Sequence, residues 1–184
     1  FYWTPDTKEL NIAVFGLFER EIYNFTLQLS SRAEYLSVIP DIQHRLSNID
    51  TNQVFQRDFP IFSAGIGVFR NWKNWEFSLG TMLTGRAPGI EDLYSDGPHL
   101  GTYAYEIGQP TLDLEKTIGL EASLEHHTDK SEIRLTGYQN FSPNYHVSSK
   151  MGECEEEFVD GGGHPCAGAD FIEWGSGSSG WLYK

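Results

Sequence analysis

The chain has 184 residues, enough for one domain with a sizeable core, and carries a formal net charge of −13, 14% aromatic residues and 19 glycines. That charge excludes nucleic acid as a partner, because its phosphates would be repelled, and it suits a protein that draws in cations or cationic chelates. No stretch approaches the roughly 20 consecutive apolar residues that a spanning helix requires, so the aromatics belong either in a β-sandwich core or on the lipid-facing belt of a β-barrel.

The sequence begins at Phe1 without an initiator Met or a charged-then-apolar leader, which reads as a missing N-terminus. Period-two alternation is the strongest signal along the chain. A first, less regular strand is expected over about Leu10–Glu19. From Asn24 to Tyr35 the odd positions (Phe25, Leu27, Leu29) are mostly apolar and the even ones (Gln28, Ser30, Arg32) polar, which is a strand with one greasy and one wet face. A further strand is expected over Phe59–Arg70, where Gly65 and Gly67 occupy the second face. Trp75, Phe77, Leu79, Thr81 and Leu83 then alternate with Glu76, Ser78, Gly80, Met82 and Thr84. Ile118, Leu120, Ala122 and Leu124 alternate with Gly119, Glu121, Ser123 and Glu125, and Ile133 and Leu135 with Glu132, Arg134 and Thr136.

Short polar connections near Arg20–Ile22, Asn71–Asn74 and Thr128–Ser131 alternate strictly with long ones over Ile39–Asp58, Ala87–Lys116 and Ser142–Lys184. In an up-and-down antiparallel sheet, alternate connections emerge at the same edge, so all the short turns share one end and all the long loops the other. Bacterial outer-membrane barrels have this asymmetry. The fold class expected is all-β, an antiparallel up-and-down meander of about six long strands whose Phe25, Leu27, Leu29, Phe77, Leu79, Ile118, Leu120, Ile133 and Leu135 share one face. A secreted β-sandwich module that binds a ligand or carbohydrate is the alternative; it would bury those same residues against a second sheet.

The run Arg86-Ala87-Pro88-Gly89-Ile90-Glu91-Asp92-Leu93-Tyr94-Ser95-Asp96-Gly97-Pro98-His99 resembles a passage of TonB-dependent outer-membrane receptors, in which Arg-x-Pro and acidic-Leu-Tyr follow a barrel strand and Gly-Pro-His comes next. The likeness continues through Glu106-Ile107-Gly108 and Leu112-Asp113-Leu114-Glu115 into the next strand. The Gly-Pro-His variant is most similar to receptors for metal ions or small metal chelates, including a zinc-uptake branch. The resemblance implies a segment of a transmembrane barrel of about 22 strands with a plugged lumen. It implies residence in the outer membrane of a Gram-negative bacterium, and uptake of a metal ion or chelate (siderophore, haem or zinc) driven by the TonB complex through a plug domain. On this reading residues 1–184 are a partial barrel domain, with the plug and the remaining strands lying outside it, and outer-membrane lipid is a partner.

No Gly-x-Ser-x-Gly elbow, His-Glu-x-x-His or phosphate-binding glycine loop is present, so neither enzyme activity nor a cofactor is expected. Imidazole and carboxylate suit borderline cations, which makes His99, Asp96, Glu91, His164 and Glu155 the ligand-binding candidates and His99, His146 and His164 the metal candidates. For His99 the competing role is structural, a hydrogen bond that fastens its loop. His126 and His127 are adjacent on an alternating strand and so point to opposite faces, where they cannot share one ion. Cys154 and Cys166, twelve apart in a Gly-rich acidic loop, are expected to form a disulfide; metal-bound or free thiols are the alternatives. Gly175–Gly180 reads as a flexible native loop or an engineered linker.

Overall fold

The computed structural model describes residues 4–41, 51–99, 104–153, 170–177 and 181–182. Strands β1 (Thr7–Ile22), β2 (Phe25–Pro40), β3 (Arg57–Trp72) and β4 (Trp75–Arg86) lead to a short helix α1 (Ile90–Tyr94) and strands β5 (Asp96–His99) and β6 (Ala104–Ile107). Then follow β7 (Glu115–His127), β8 (Glu132–Phe141), β9 (Tyr145–Glu153), β10 (Asp170–Gly177) and β11 (Trp181–Leu182). The main sheet runs β1-β2-β3-β4-β7-β8-β11, antiparallel throughout, so its six long strands are the expected meander. It has two edges and does not close on itself.

The strands outrun their sequence signal. β1, β2 and β3 each hold 16 residues, an extended length of roughly 50 Å and more than a tilted barrel strand needs to cross a bilayer. The first short turn falls at Tyr23-Asn24, two residues beyond the expected position, and the second at Lys73-Asn74. Tyr23 and Lys73 take left-handed backbone angles (φ 56° and 57°). These are the positive-φ turns that match strand twist, built here without the glycine that usually marks them.

Register fixes the two faces. Phe18, Leu29, Ile66, Thr81, Leu120 and Gln139 form one cross-strand row. Another row runs Leu27, Val68, Leu79, Ala122 and Gly137, and a third aligns Arg70, Phe77, Leu124 and Leu135. The nine apolar residues expected to share a face do so, and among the described residues nothing packs over it: Leu79 is 55%, Leu120 50% and Leu135 69% exposed. A sandwich would have buried them. On the opposite face Ser30, Gly65, Met82, Gly119 and Asn140 line a shallow concavity, which makes this the inner side.

At the long-connection end the inner face changes character. There Val38 of β2 and Phe59 and Ile61 of β3 are apolar and buried, and Val54, Leu93, Tyr94 and Leu112 cover them. The long connections thus fold back onto the mouth of the sheet and supply the buried core seen among the described residues. They were expected to be loops forming no sheet of their own. Instead they build a second sheet, β5-β6-β10-β9, whose β6–β10 pair is parallel.

Helix α1 is held by close backbone approach. The amides of Gly108 and Gln109 donate to the carbonyls of Ser95 (2.7 Å) and Asp92 (2.8 Å), closing the helix end. A Cβ on Gly108 would lie 2.5 Å from the backbone of Leu93 and Tyr94. Gly108→Ala is therefore expected to destabilise this module by about 1–3 kcal/mol, the usual range for overpacking. Gly137→Ala, where an added Cβ meets nothing within 4 Å, is the neutral control. Hydrogen exchange of the 92–96 and 104–109 amides measures the difference; equal protection in both variants would contradict the role given to Gly108.

Candidate functional site

The mouth of the sheet is fastened by charge as well as by apolar packing. Arg57, at the start of β3, donates to the carbonyls of Pro110 and Leu112 (2.8 Å to the latter) and lies 3.6 Å from the Asp113 carboxylate. Its guanidinium also stacks over Phe59 at 5.2 Å. Tyr94 is fully buried and its hydroxyl donates to the Phe55 carbonyl (3.1 Å). Burial pushes its phenol up to about 12, against the opposing pull of the Arg57 charge.

Beside it sits an ionic group, buried except for Arg86, that joins four elements. Arg86 at the end of β4 reaches the carboxylates of Asp92 (3.9 Å) and Glu115 (3.8 Å). The same two carboxylates flank His146 of β9, whose backbone amide donates to Glu115 (3.1 Å) and whose Nε2 pairs with the Asp113 carbonyl (2.8 Å). His146 Nδ1 is buried, 4.0 Å from Asp92 and 3.9 Å from Glu115, without a hydrogen bond of its own. His146, a metal candidate from sequence, is thus part of the clasp between β9 and the barrel strands.

The other outward candidates are dispersed. Glu91 faces solvent on α1. Asp96 is buried and accepts the Tyr105 hydroxyl (3.1 Å), and half-exposed His99 pairs with Glu106 through Nδ1 (2.9 Å). His99 therefore braces β5 against β6, where its competing role had it fastening its loop. His164, Glu155, Cys154 and Cys166 lie outside the described residues, as does part of the Gly175–Gly180 stretch.

Sequence reading missed the tightest donor cluster. Among the described residues, the group of three or more imidazole and carboxylate donors within 4.8 Å of one another is Glu76, Glu125 and His127, at the short-turn end of the inner face. His127 Nε2 lies 2.7 Å from Glu125 and 3.7 Å from Glu76. Arg134 binds the other oxygen of Glu125. A guanidinium already fills the place a cation would take, so the cluster reads as a cross-strand ionic ladder. The signal that would have found it is register: Glu76, Glu125 and Arg134 are successive cross-strand partners. His126, as expected, points to the opposite face and packs against Trp75 with its ring tilted (4.3 Å between centroids, 44° between planes).

An open antiparallel meander with an exposed apolar face, short turns at one end and folded loops at the other defines a segment of an outer-membrane β-barrel. The sequence matches the TonB dependent receptor-like β-barrel family over residues 1–154, and the chain belongs to that family. Membership places it in the outer membrane of a Gram-negative bacterium. Its fold is similar to that of the siderophore receptor PirA from Pseudomonas aeruginosa (TM-score 0.52, 14% identity), the match covering 95% of this chain and 38% of that one.

Tyr94 provides a pH test of the mouth. Its folded pKa lies above the usual 10, so its contribution to stability is fully present below pH 10 and lost as pH rises through about 12. Ultraviolet titration is expected to show a phenol ionising near pH 12 that Tyr94→Phe removes. If all the phenols ionise together near pH 10, the burial of Tyr94 is wrong.

Proposed function

We propose that the chain forms part of the wall and outward mouth of an active transporter that takes up a metal ion or metal chelate, of the siderophore, haem or zinc type, powered by the TonB complex through a plug domain. The observation that carries transport is the sheet itself. One face is apolar and uncovered across six strands, the other is polar and glycine-lined, and the loop sheet caps only the mouth. The fold likeness to PirA, a siderophore receptor, supports the cargo class. So do the net charge of −13 and the outward imidazoles and carboxylates, which attract cationic cargo and complement its donor preferences. In this reading His99, Asp96 and Glu91, with His164 and Glu155, contribute to capture, and a Cys154–Cys166 disulfide stiffens the last loop. The work done is binding and passage; no catalytic step is assigned.

Two measurements test the reading. Leu120→Arg places a charge in the lipid-facing belt and is expected to lower the stability of the folded receptor by about 2–4 kcal/mol in bilayers, whereas Glu121→Gln on the inner face changes it little. Equal effects would remove the membrane assignment. Cells carrying the complete receptor should import one of ferric siderophore, haem or zinc only with an intact TonB system. Glu91→Gln, at the solvent-facing candidate on α1, should raise the half-saturating concentration without reducing receptor abundance. Uptake unchanged by loss of TonB would contradict the proposal.

A further inference from the structure

At the short-turn end the acidic residues of the main sheet keep to one face. Glu19, Glu21, Glu76, Glu125 and Glu132 occupy inner-face positions, by their alternation with the apolar rows and their register. The charged residues on the outer face at this end are Arg20, paired with Leu27, and Arg70, paired with Phe77. In a chain with a net charge of −13, chance does not favour an outer rim that is purely cationic.

Arg70 also sits in a shaped place. Phe25, Arg70, Trp72 and Phe77 line a groove on the apolar face. The Arg70 guanidinium lies over the Phe25 ring at 4.9 Å, and the Lys73 ammonium over Trp72 at 5.4 Å. Both arginines are exposed and neither has an ion pair among the described residues. Arg70 stands two residues before the end of β3, roughly 7 Å from the turn at the rise of a strand. That is the depth at which an arginine stem lies along hydrocarbon while its head reaches the interface. Trp72 and Trp75 belong to the aromatic girdle that marks the same level.

We propose that this groove is a binding site for an anionic phospholipid of the periplasmic leaflet, its phosphate on Arg70 and its acyl chains along Phe25, Phe77 and the row of Leu27 and Leu79 beneath them. Lys73 at the turn, and Arg20 on β1, supply further positive charge at headgroup level. The chemistry is that of a phosphodiester: a guanidinium offers it two parallel donors, and an apolar, aromatic floor accepts the chains. The inference rests on the reading that the apolar face meets lipid.

The test is native mass spectrometry of the complete receptor in detergent, titrated with phosphatidylglycerol, with phosphatidylethanolamine or with sodium phosphate. A saturable phosphatidylglycerol adduct tighter than that of phosphatidylethanolamine is expected. Arg70→Gln should weaken it about fivefold, the factor for one basic residue at a charged membrane surface, and Arg70→Lys, which keeps the charge and loses the second donor, should fall between the two with the fold intact. Equal binding of the two lipids, or no change in Arg70→Gln, overturns the site. Competition by millimolar phosphate also overturns it, because the groove would then hold a free anion and not a lipid. Quenching of the Leu79→Trp variant by lipids with brominated chains separates the two levels. If quenching occurs while headgroup preference is absent, the site alone fails; if quenching is absent, the lipid-facing reading fails with it.

Discussion

Backbone pairing in a fixed register is the constraint on which everything else depends. A strand in hydrocarbon has no water for its amides and carbonyls, so each must find its partner on the neighbouring strand. Once the pairs are set, side chains alternate strictly, and a slip of one residue would exchange the two faces entirely. The Phe77–Leu124–Leu135 row on one side and the Glu76–Glu125–Arg134 row on the other are adjacent register steps of the same strands. Fixed pairing thus sends a leucine row outward and an ionic ladder inward within one residue spacing.

The same alternation explains the change at the mouth. Val38, Phe59 and Ile61 stand on the inner side, where farther along the strands Ser30, Gly65 and Gly67 stand. Apolar side chains are stable there because Leu93, Tyr94 and Leu112 cover them. Full burial of each such side chain is worth about 1.5–3 kcal/mol. The clasp of Arg86, Asp92, Glu115 and His146 then ties β4, α1, β7 and β9 together beside that core. A mouth held this way presents its outward side chains from a folded platform and not from free loops.

How much of this was legible in the sequence follows from which forces act locally. The six long strands and their faces were readable, because alternation records two different solvents at every second residue. The turn at Tyr23-Asn24 was misplaced, because Tyr23 takes the left-handed position where Gly or Asn is the usual signal. The second sheet was not visible. β5 and β6 hold four residues each, too short for a period, and the parallel partner of β6 lies more than sixty positions along the chain, as in the Ala104–Asp170 pair. Of the site, the separation of His126 from His127 was readable from alternation alone. The His127–Glu125–Glu76 group and the Asp92–Glu115–His146 clasp were not, since each assembles residues from separate elements.

Which face meets lipid is decided by the alternation of a single strand, β4. Spin labels placed one at a time from Trp75 to Arg86 of the complete receptor in bilayers should show alternating accessibility. Labels at Phe77, Leu79 and Leu83 should collide with oxygen, which concentrates in hydrocarbon, and labels at Glu76, Ser78 and Met82 with a water-soluble nickel chelate. Uniform accessibility along the strand, or the opposite phase, would contradict the lipid-facing assignment.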